Sequence, residues 1–253
     1  MSDLDAYRLV GDSAGLERAG LFVAEGRLIV ERLLLDRRLR VHSVAVTPPA
    51  ARALAPVFEQ RADVTVHTCE PAMLEAITGF DFHRGCLALA WRPMETVPLE
   101  CLAGARRLLA LECVGNPDNV GGLFRTGFAL GVDGVLLDSA TADPLYRKAI
   151  RTSMGATLRI PFTRLAAWGE DLSALKSRGF RVLALTPHPD AVSLQHLKIA
   201  DADPLIVAVG SESYGLTTPA LAHADLRVRI PIDPRADSLN VVVAAGIVLQ
   251  ALS

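Results

Sequence analysis

Asn116, Asn119, Gly121, Gly122, Arg125 and Thr126 fall within one short stretch. Carboxamides can donate and accept hydrogen bonds at once, and a guanidinium grips phosphate oxygens in pairs. Adjacent glycines weaken a helix by ~1 kcal/mol each against alanine, which points to close approach by another backbone or a ligand. Much further along, Gly210-Ser211-Glu212 with Gly215 sets a carboxylate in a glycine-bounded loop. Ser238-Leu239-Asn240 then sets a hydroxyl and a carboxamide at the mouth of an apolar stretch, where Asn240 needs a hydrogen-bond partner. Neither GxGxxG nor GK[ST] occurs in these stretches, so they form neither a dinucleotide fingerprint nor a P-loop. Taken singly, Arg125 reads as a surface arginine, the Glu212 loop as a strand-to-helix turn, and Ser238 with Asn240 as a helix cap.

These residues must be positioned by alternating short apolar strands and helical stretches, the pattern of an α/β fold with a largely parallel sheet. In the first part, strands are expected at Leu21–Val23, Ser43–Val46, Val64–Thr68 and Cys86–Trp91. Helices are expected at Glu25–Leu35, Pro49–Gln60 and Pro71–Thr78. The proline-containing Arg92–Leu99 reads as a linker. A second α/β run begins with the strand Arg107–Val114. Asn116 suits the N-cap of the next helix, Pro117 its first position and Gly131 its stop. After the strand ending at Ile230-Pro231, Asp237 or Ser238 is expected to cap a final helix. That helix is apolar nearly all round and is therefore expected to be buried, with Ala244, Ala245 and Gly246 permitting tight packing. The division expected is residues 1–95, a linker over 96–106, and 107–253.

In order and spacing, the three stretches closely resemble the signature motifs of the SpoU (TrmH-type) methyltransferases of the SPOUT superfamily. The matching residues are Asn116, Asn119, Gly121, Arg125 and Thr126; Gly210, Ser211, Glu212 and Gly215; and Ile230, Pro231, Ser238, Leu239, Asn240 and Val241. Ser153-Met154-Gly155-Ala156 resembles a supporting family segment. Glu25-Gly26 and His83 through Ala88 resemble the opening and close of the family's N-terminal domain. Two positions depart: the family often has Asp where Asn116 stands and Ser where Val242 stands.

The resemblance implies a C-terminal parallel-sheet domain with a deep trefoil knot, preceded by a small ribosomal-protein-like α/β domain that binds RNA. It implies transfer of a methyl group from S-adenosylmethionine to a ribose 2′-hydroxyl of tRNA or rRNA, by a homodimer. The cofactor would lie against Val209, Gly210, Gly215, Ile230, Ile232, Ser238 and Leu239. Arg125 would position a phosphate and stabilise developing charge. Ser238 and Asn240 would orient Arg125 and the ribose, and Asn119 and Glu212 would fix loops and contact substrate. A base-methylating SPOUT enzyme and a non-catalytic RNA-binding or assembly factor are the competing readings. The Ser238-Leu239-Asn240 set disfavours the first, and the intact Arg125, Glu212 and Asn240 set disfavours the second. A dehydrogenase lacks its glycine fingerprint.

Composition limits the partners. Apolar residues make up 51% of the 253, enough for a sizeable core, and the formal net charge is −2. That balance does not mark a nucleic-acid binder, so RNA contact must come from local patches. Arg147, Lys148, Arg151, Arg159, Arg164, Lys176, Arg178 and Arg181 form one basic stretch; Arg32, Arg37, Arg38 and Arg40 belong to a second. Arg147, Lys148, Arg151, Arg37, Arg38, His83 and Arg84 are the expected RNA contacts, although either stretch also reads as a solvated face. Cys69, Cys86, Cys101 and Cys113 show no CxxC spacing, so no metal site is expected. The opening residues lack the apolar core of a signal peptide, and no apolar run approaches the ~20 residues of a membrane span. A cytoplasmic enzyme with no membrane partner is expected.

Overall fold

The structure, a computed structural model, describes residues 4–79, 85–93, 102, 104–199 and 203–252. The chain forms two compact units, Met1–Met94 with Leu145–Leu158, and Glu95–Pro144 with Arg159–Ser253. The expected division near residue 95 puts Leu145–Leu158 in the second domain; in the structure this segment packs within the first unit. His83 and Arg84 lie outside the described residues, as does most of the expected linker.

The first unit runs α1 (Ser13–Arg18), β1 (Leu21–Glu25), α2 (Arg27–Leu35), β2 (Val41–Val46), α3 (Pro48–Glu59), β3 (Thr65–Thr68), α4 (Pro71–Thr78) and β4 (Cys86–Trp91). Its sheet has the order β1-β4-β2-β3, with β4 antiparallel to both neighbours and β2 parallel to β3. Alternation decides the packing: Leu87 and Leu89 of β4 join Tyr7, Leu16, Leu21, Val23 and Leu74 in one core. In α2, Ile29, Val30, Leu33 and Leu34 are buried at helical spacing.

The second unit begins with β5 (Arg107–Leu111), α5 (Pro117–Ala129) and β6 (Gly134–Leu137). The chain then contributes α6 (Arg147–Thr152) to the first unit. It continues as β7 (Phe162–Arg164), α7 (Trp168–Ser177), β8 (Arg181–Leu185), β9 (Val192–Ser193), β10 (Leu205–Val209), α8 (Thr218–His223), β11 (Leu226–Arg229) and α9 (Val241–Ala251). The sheet order is β7-β6-β5-β10-β8-β11-β9, and all these pairs are parallel. Strands β5, β6 and β10 are buried almost throughout, as expected of a parallel sheet covered on both faces.

Asn116 caps α5, its Oδ1 accepting from the Asp118 N–H at 2.9 Å, and Gly131 follows the helix at φ +74°. The final helix corrects two expectations. It starts at Val241 with Asn240 as N-cap, because the Asn240 Oδ1 accepts from the Val242 and Val243 N–H groups. Nor is it wholly buried: Val243 and Ile247, one turn apart, are exposed.

The first basic stretch is not one patch. Arg147 pairs with Glu25 in the first unit, while in the second Arg181 pairs with Asp203 and Lys176 with Asp225. Arg164 donates to the carbonyls of Asp138 and Thr141, and Arg159 lies over the Phe128 ring. Those side chains hold the fold locally. Lys148 and Arg38 are exposed, Arg38 being chelated by Asp36, and exposed Arg37 donates to the Gln60 carbonyl. Arg151 is half-buried.

Among the described residues no group of three or more His, Cys, Asp or Glu could hold a metal ion, and no helix is long and apolar enough to cross a membrane.

Candidate active site

A cavity of about 780 Å³ opens beyond the carboxyl ends of β8, β10 and β11. Parallel strands deliver their following loops to the same side, which is where open α/β sheets bind ligands. Val209, Gly210 and Gly215 line it from one loop; Ile230, Ile232, Ser238 and Leu239 line it from another. Residues not singled out from the sequence add to the wall, Leu185 and Val228 from strand ends and Thr186, Pro187 and His188 after β8, and Asp237, expected only as a helix cap, lines it too. Position at the end of a buried strand was the signal that could have found the β8 loop.

The loop after β10 is held in shape from within. Gly215 has φ +67°, and its N–H donates to the Ser211 carbonyl at 2.9 Å. At Gly210 a Cβ would sit 2.1 Å from the carbonyl carbon of Gly215, so only glycine lets the two ends of the loop meet. Glu112, at the end of β5 and 6% exposed, anchors the exit of this loop. Its carboxylate accepts from the Thr217 N–H at 2.8 Å and from the Thr217 hydroxyl at 2.7 Å. A carboxylate closing an apolar run, Leu108 through Glu112, was the sequence signal for it.

At the cavity rim the three distant motifs join through their side chains. Asn119 Nδ2 donates to Glu212 Oε1. Asn240 Nδ2 donates to Asn119 Oδ1 at 3.2 Å, while Asn240 Oδ1 caps α9. One relay of carboxamides therefore runs from the Glu212 loop through α5 to the start of α9. Glu212 and Asn240 line the cavity themselves, and Asn119 links them.

Arg125 and Asn240 stand differently from the expectation. Arg125 is exposed on α5 and lies outside the cavity lining. The residue falls six positions after Asn119, about 240° of turn and about 9 Å of rise, so it emerges on another side of the helix. Ser238 lines the cavity, but Asn240 is engaged with Asn119 and the α9 backbone rather than with Arg125.

Helix α5 is held against α9 by small residues. A Cβ on Gly122 would approach Val242 Cγ2 to 2.8 Å, and one on Gly246 would lie 3.2 Å from Thr126 Cγ2. The space left by Gly122 is filled by Val242, the position where the family often carries Ser.

Residues 106–250 match the sequence profile of the SpoU rRNA Methylase family. A similar chain is an uncharacterised tRNA/rRNA methyltransferase from Mycobacterium tuberculosis, 38% identical over 239 residues, which span 90% of this chain and 78% of the other. Among solved structures, an AdoMet-bound rRNA methyltransferase from Sinorhizobium meliloti superposes with a TM-score of 0.83 at 25% identity, covering 99% of this chain and 94% of that one. The SpoU methyltransferase AviRb from Streptomyces viridochromogenes, in complex with AdoMet, gives a TM-score of 0.83 over 100% of this chain and 97% of its own. Its 20% identity bears on the fold alone.

Proposed function

The chain belongs to the SpoU rRNA Methylase family, and from that premise we propose that it transfers a methyl group from S-adenosylmethionine to a ribose 2′-hydroxyl of tRNA or rRNA. The observation that carries this reading is the relay of Glu212, Asn119 and Asn240 at the rim of the cavity.

The cavity suits the cofactor. Its volume of about 780 Å³ is that of a small-molecule site, with apolar side chains from the strand ends and polar ones from the loops. Leu185, Val209, Ile230 and Leu239 offer a surface for a nucleoside ring, and the Glu212 and Asp237 carboxylates suit a cationic ligand. Bound there, S-adenosylmethionine supplies an electrophilic methyl group on a sulfonium. The chain's own residues do the rest. Apolar walls exclude water, Glu112 and Gly210 hold the Glu212 loop, and Asn119 keeps Glu212 and Asn240 in fixed orientation. The guanidinium of Arg125 holds a substrate phosphate and offsets negative charge that develops on the attacking oxygen.

Because Arg125 stands outside the cavity of its own chain, the proposal includes a homodimer built on α5 and α9. Val243 and Ile247, exposed one turn apart on α9, give that helix an apolar strip, and a second copy would bring its Arg125 to this cavity. The family's trefoil knot, carried by the second unit, would keep the loops after β10 and β11 together. The first unit would bind the RNA backbone through Arg37, Arg38, Arg147, Lys148 and Arg151, and His83 and Arg84 are kept as RNA contacts on the family resemblance alone. A cytoplasmic location accords with such a substrate.

The test is incubation with methyl-labelled S-adenosylmethionine and unmodified rRNA and tRNA transcripts. The label is expected in an alkali-resistant dinucleotide, since alkaline cleavage requires a free 2′-hydroxyl. Label recovered on a base would overturn the ribose assignment. Arg125→Ala is expected to abolish transfer while calorimetric cofactor binding persists.

A further inference from the structure

Tyr214 is 93% exposed, whereas the other exposed large apolar side chains among the described residues lie between 38% for Trp91 and 52% for Leu35. Its side chain makes no hydrogen bond or ring contact among the described residues. Tyr214 therefore holds nearly its whole ring in solvent, open to a planar partner.

The segment that carries the ring is tied by hydrogen bonds and close packing. The Tyr214 N–H donates to Ser211 Oγ at 3.1 Å, and the Gly215 N–H to the Ser211 carbonyl at 2.9 Å. Glu212 is bound by Asn119, and Gly210 packs directly on Gly215. A tight turn thus presents one aromatic side chain at the mouth of the cavity that Tyr214 helps to line. Tyrosine in that setting gives a large contact area for little loss of conformational entropy.

We propose that Tyr214 is the platform on which the base of the target nucleotide stacks, which rests on the reading of the cavity as an RNA ribose methylation site. The base is attached to C1′, the carbon adjacent to the one bearing the reacting hydroxyl. When that hydroxyl points into the cavity, the base lies at its rim. A planar heterocycle arriving there from solvent meets the ring of Tyr214, and stacking tolerates any base because each has a π face. The cofactor's own ring is not the occupant, since the cavity already supplies an apolar wall and the tyrosine ring faces solvent.

The experiment compares wild type with Tyr214→Ala, Tyr214→Phe and Tyr214→Trp on rRNA and tRNA transcripts. RNA affinity is read by fluorescence anisotropy with S-adenosylhomocysteine present, and KM by labelled methyl transfer. Stacking worth about 1–3 kcal/mol per base predicts a rise of about 5- to 150-fold in RNA Kd and KM for Tyr214→Ala. Tyr214→Phe and Tyr214→Trp should stay within about threefold of wild type, because both keep a π face. Cofactor affinity should be unchanged in all three. With the mapped target base removed to leave an abasic ribose, wild type and Tyr214→Ala should become equal.

Unchanged RNA affinity in Tyr214→Ala would overturn the proposal while leaving the methyltransferase reading intact. A matching loss of cofactor affinity would make the side chain a cover for the cofactor, and an altered sedimentation profile would make it a contact between chains; either outcome overturns the assignment. A wild type that neither binds nor methylates RNA would instead remove the reading beneath it.

Discussion

Asn119 performs two tasks that no single-function side chain could combine. Its Nδ2 donates to Glu212 and its Oδ1 accepts from Asn240, so it must both give and receive. Asn240 is equally divided, donating to Asn119 and accepting from the first N–H groups of α9. Asn240→Asp separates the two roles. Aspartate caps a helix as well as asparagine does, and its charge is favourable at a helix N-terminus. It cannot donate to Asn119, and turning the Asn119 carboxamide over would set its oxygen against the Glu212 carboxylate. Denaturant unfolding should therefore change by less than about 1 kcal/mol, while methyl transfer to RNA falls at least about tenfold. Undiminished transfer would show that the relay does not serve the reaction.

At the scale of elements, the site depends on how closely α5 and α9 approach. Gly122 is a poor helix former, and alanine there would gain about 1 kcal/mol from propensity alone. The added Cβ would meet Val242 Cγ2 at 2.8 Å, and a β-branched side chain on a helix has little freedom to move aside. Gly122→Ala is accordingly expected to destabilise by about 1–3 kcal/mol. Gly122→Ala with Val242→Ala should recover most of that loss, giving a coupling of at least about 0.5 kcal/mol in a double-mutant cycle. Additive effects in urea titrations would place the constraint elsewhere. The paired glycines in the sequence pointed to a close approach, and the structure supplies its partner: a side chain of the last helix.

For the whole molecule, the open question is what covers α9. Read as a string, Val241 through Leu249 suggests burial on every side, but within one chain Val243 and Ile247 are exposed. Ile247→Lys is expected to convert a dimer into monomers in sedimentation and to abolish transfer, with S-adenosylmethionine binding retained. If Arg125 acts across the interface, mixing Arg125→Ala chains with Asn119→Ala chains should restore transfer that neither shows alone. A wild type that sediments as a monomer, or a mixture without recovery, would return Arg125 to its own chain.

Much of the fold was legible locally because strand and helix periods are written in neighbouring residues. Helix α4 and strand β4 have the bounds expected from the sequence, and α5 the expected Asn116 cap, proline start and glycine stop. Boundaries failed where capping was ambiguous: Asp237, Ser238 and Asn240 are all good caps, and only the placement of Asn119 engaged Asn240. The motif residues could be chosen from the sequence by type and order. That Glu212, Asn119 and Asn240 meet, that Glu112 anchors the Thr217 turn, and that Arg125 stands apart were decided by the tertiary structure. The reason is physical: side-chain type and local period are properties of adjacent residues, whereas a hydrogen bond between Asn119 and Asn240 depends on how β5, β10 and the last helix pack together.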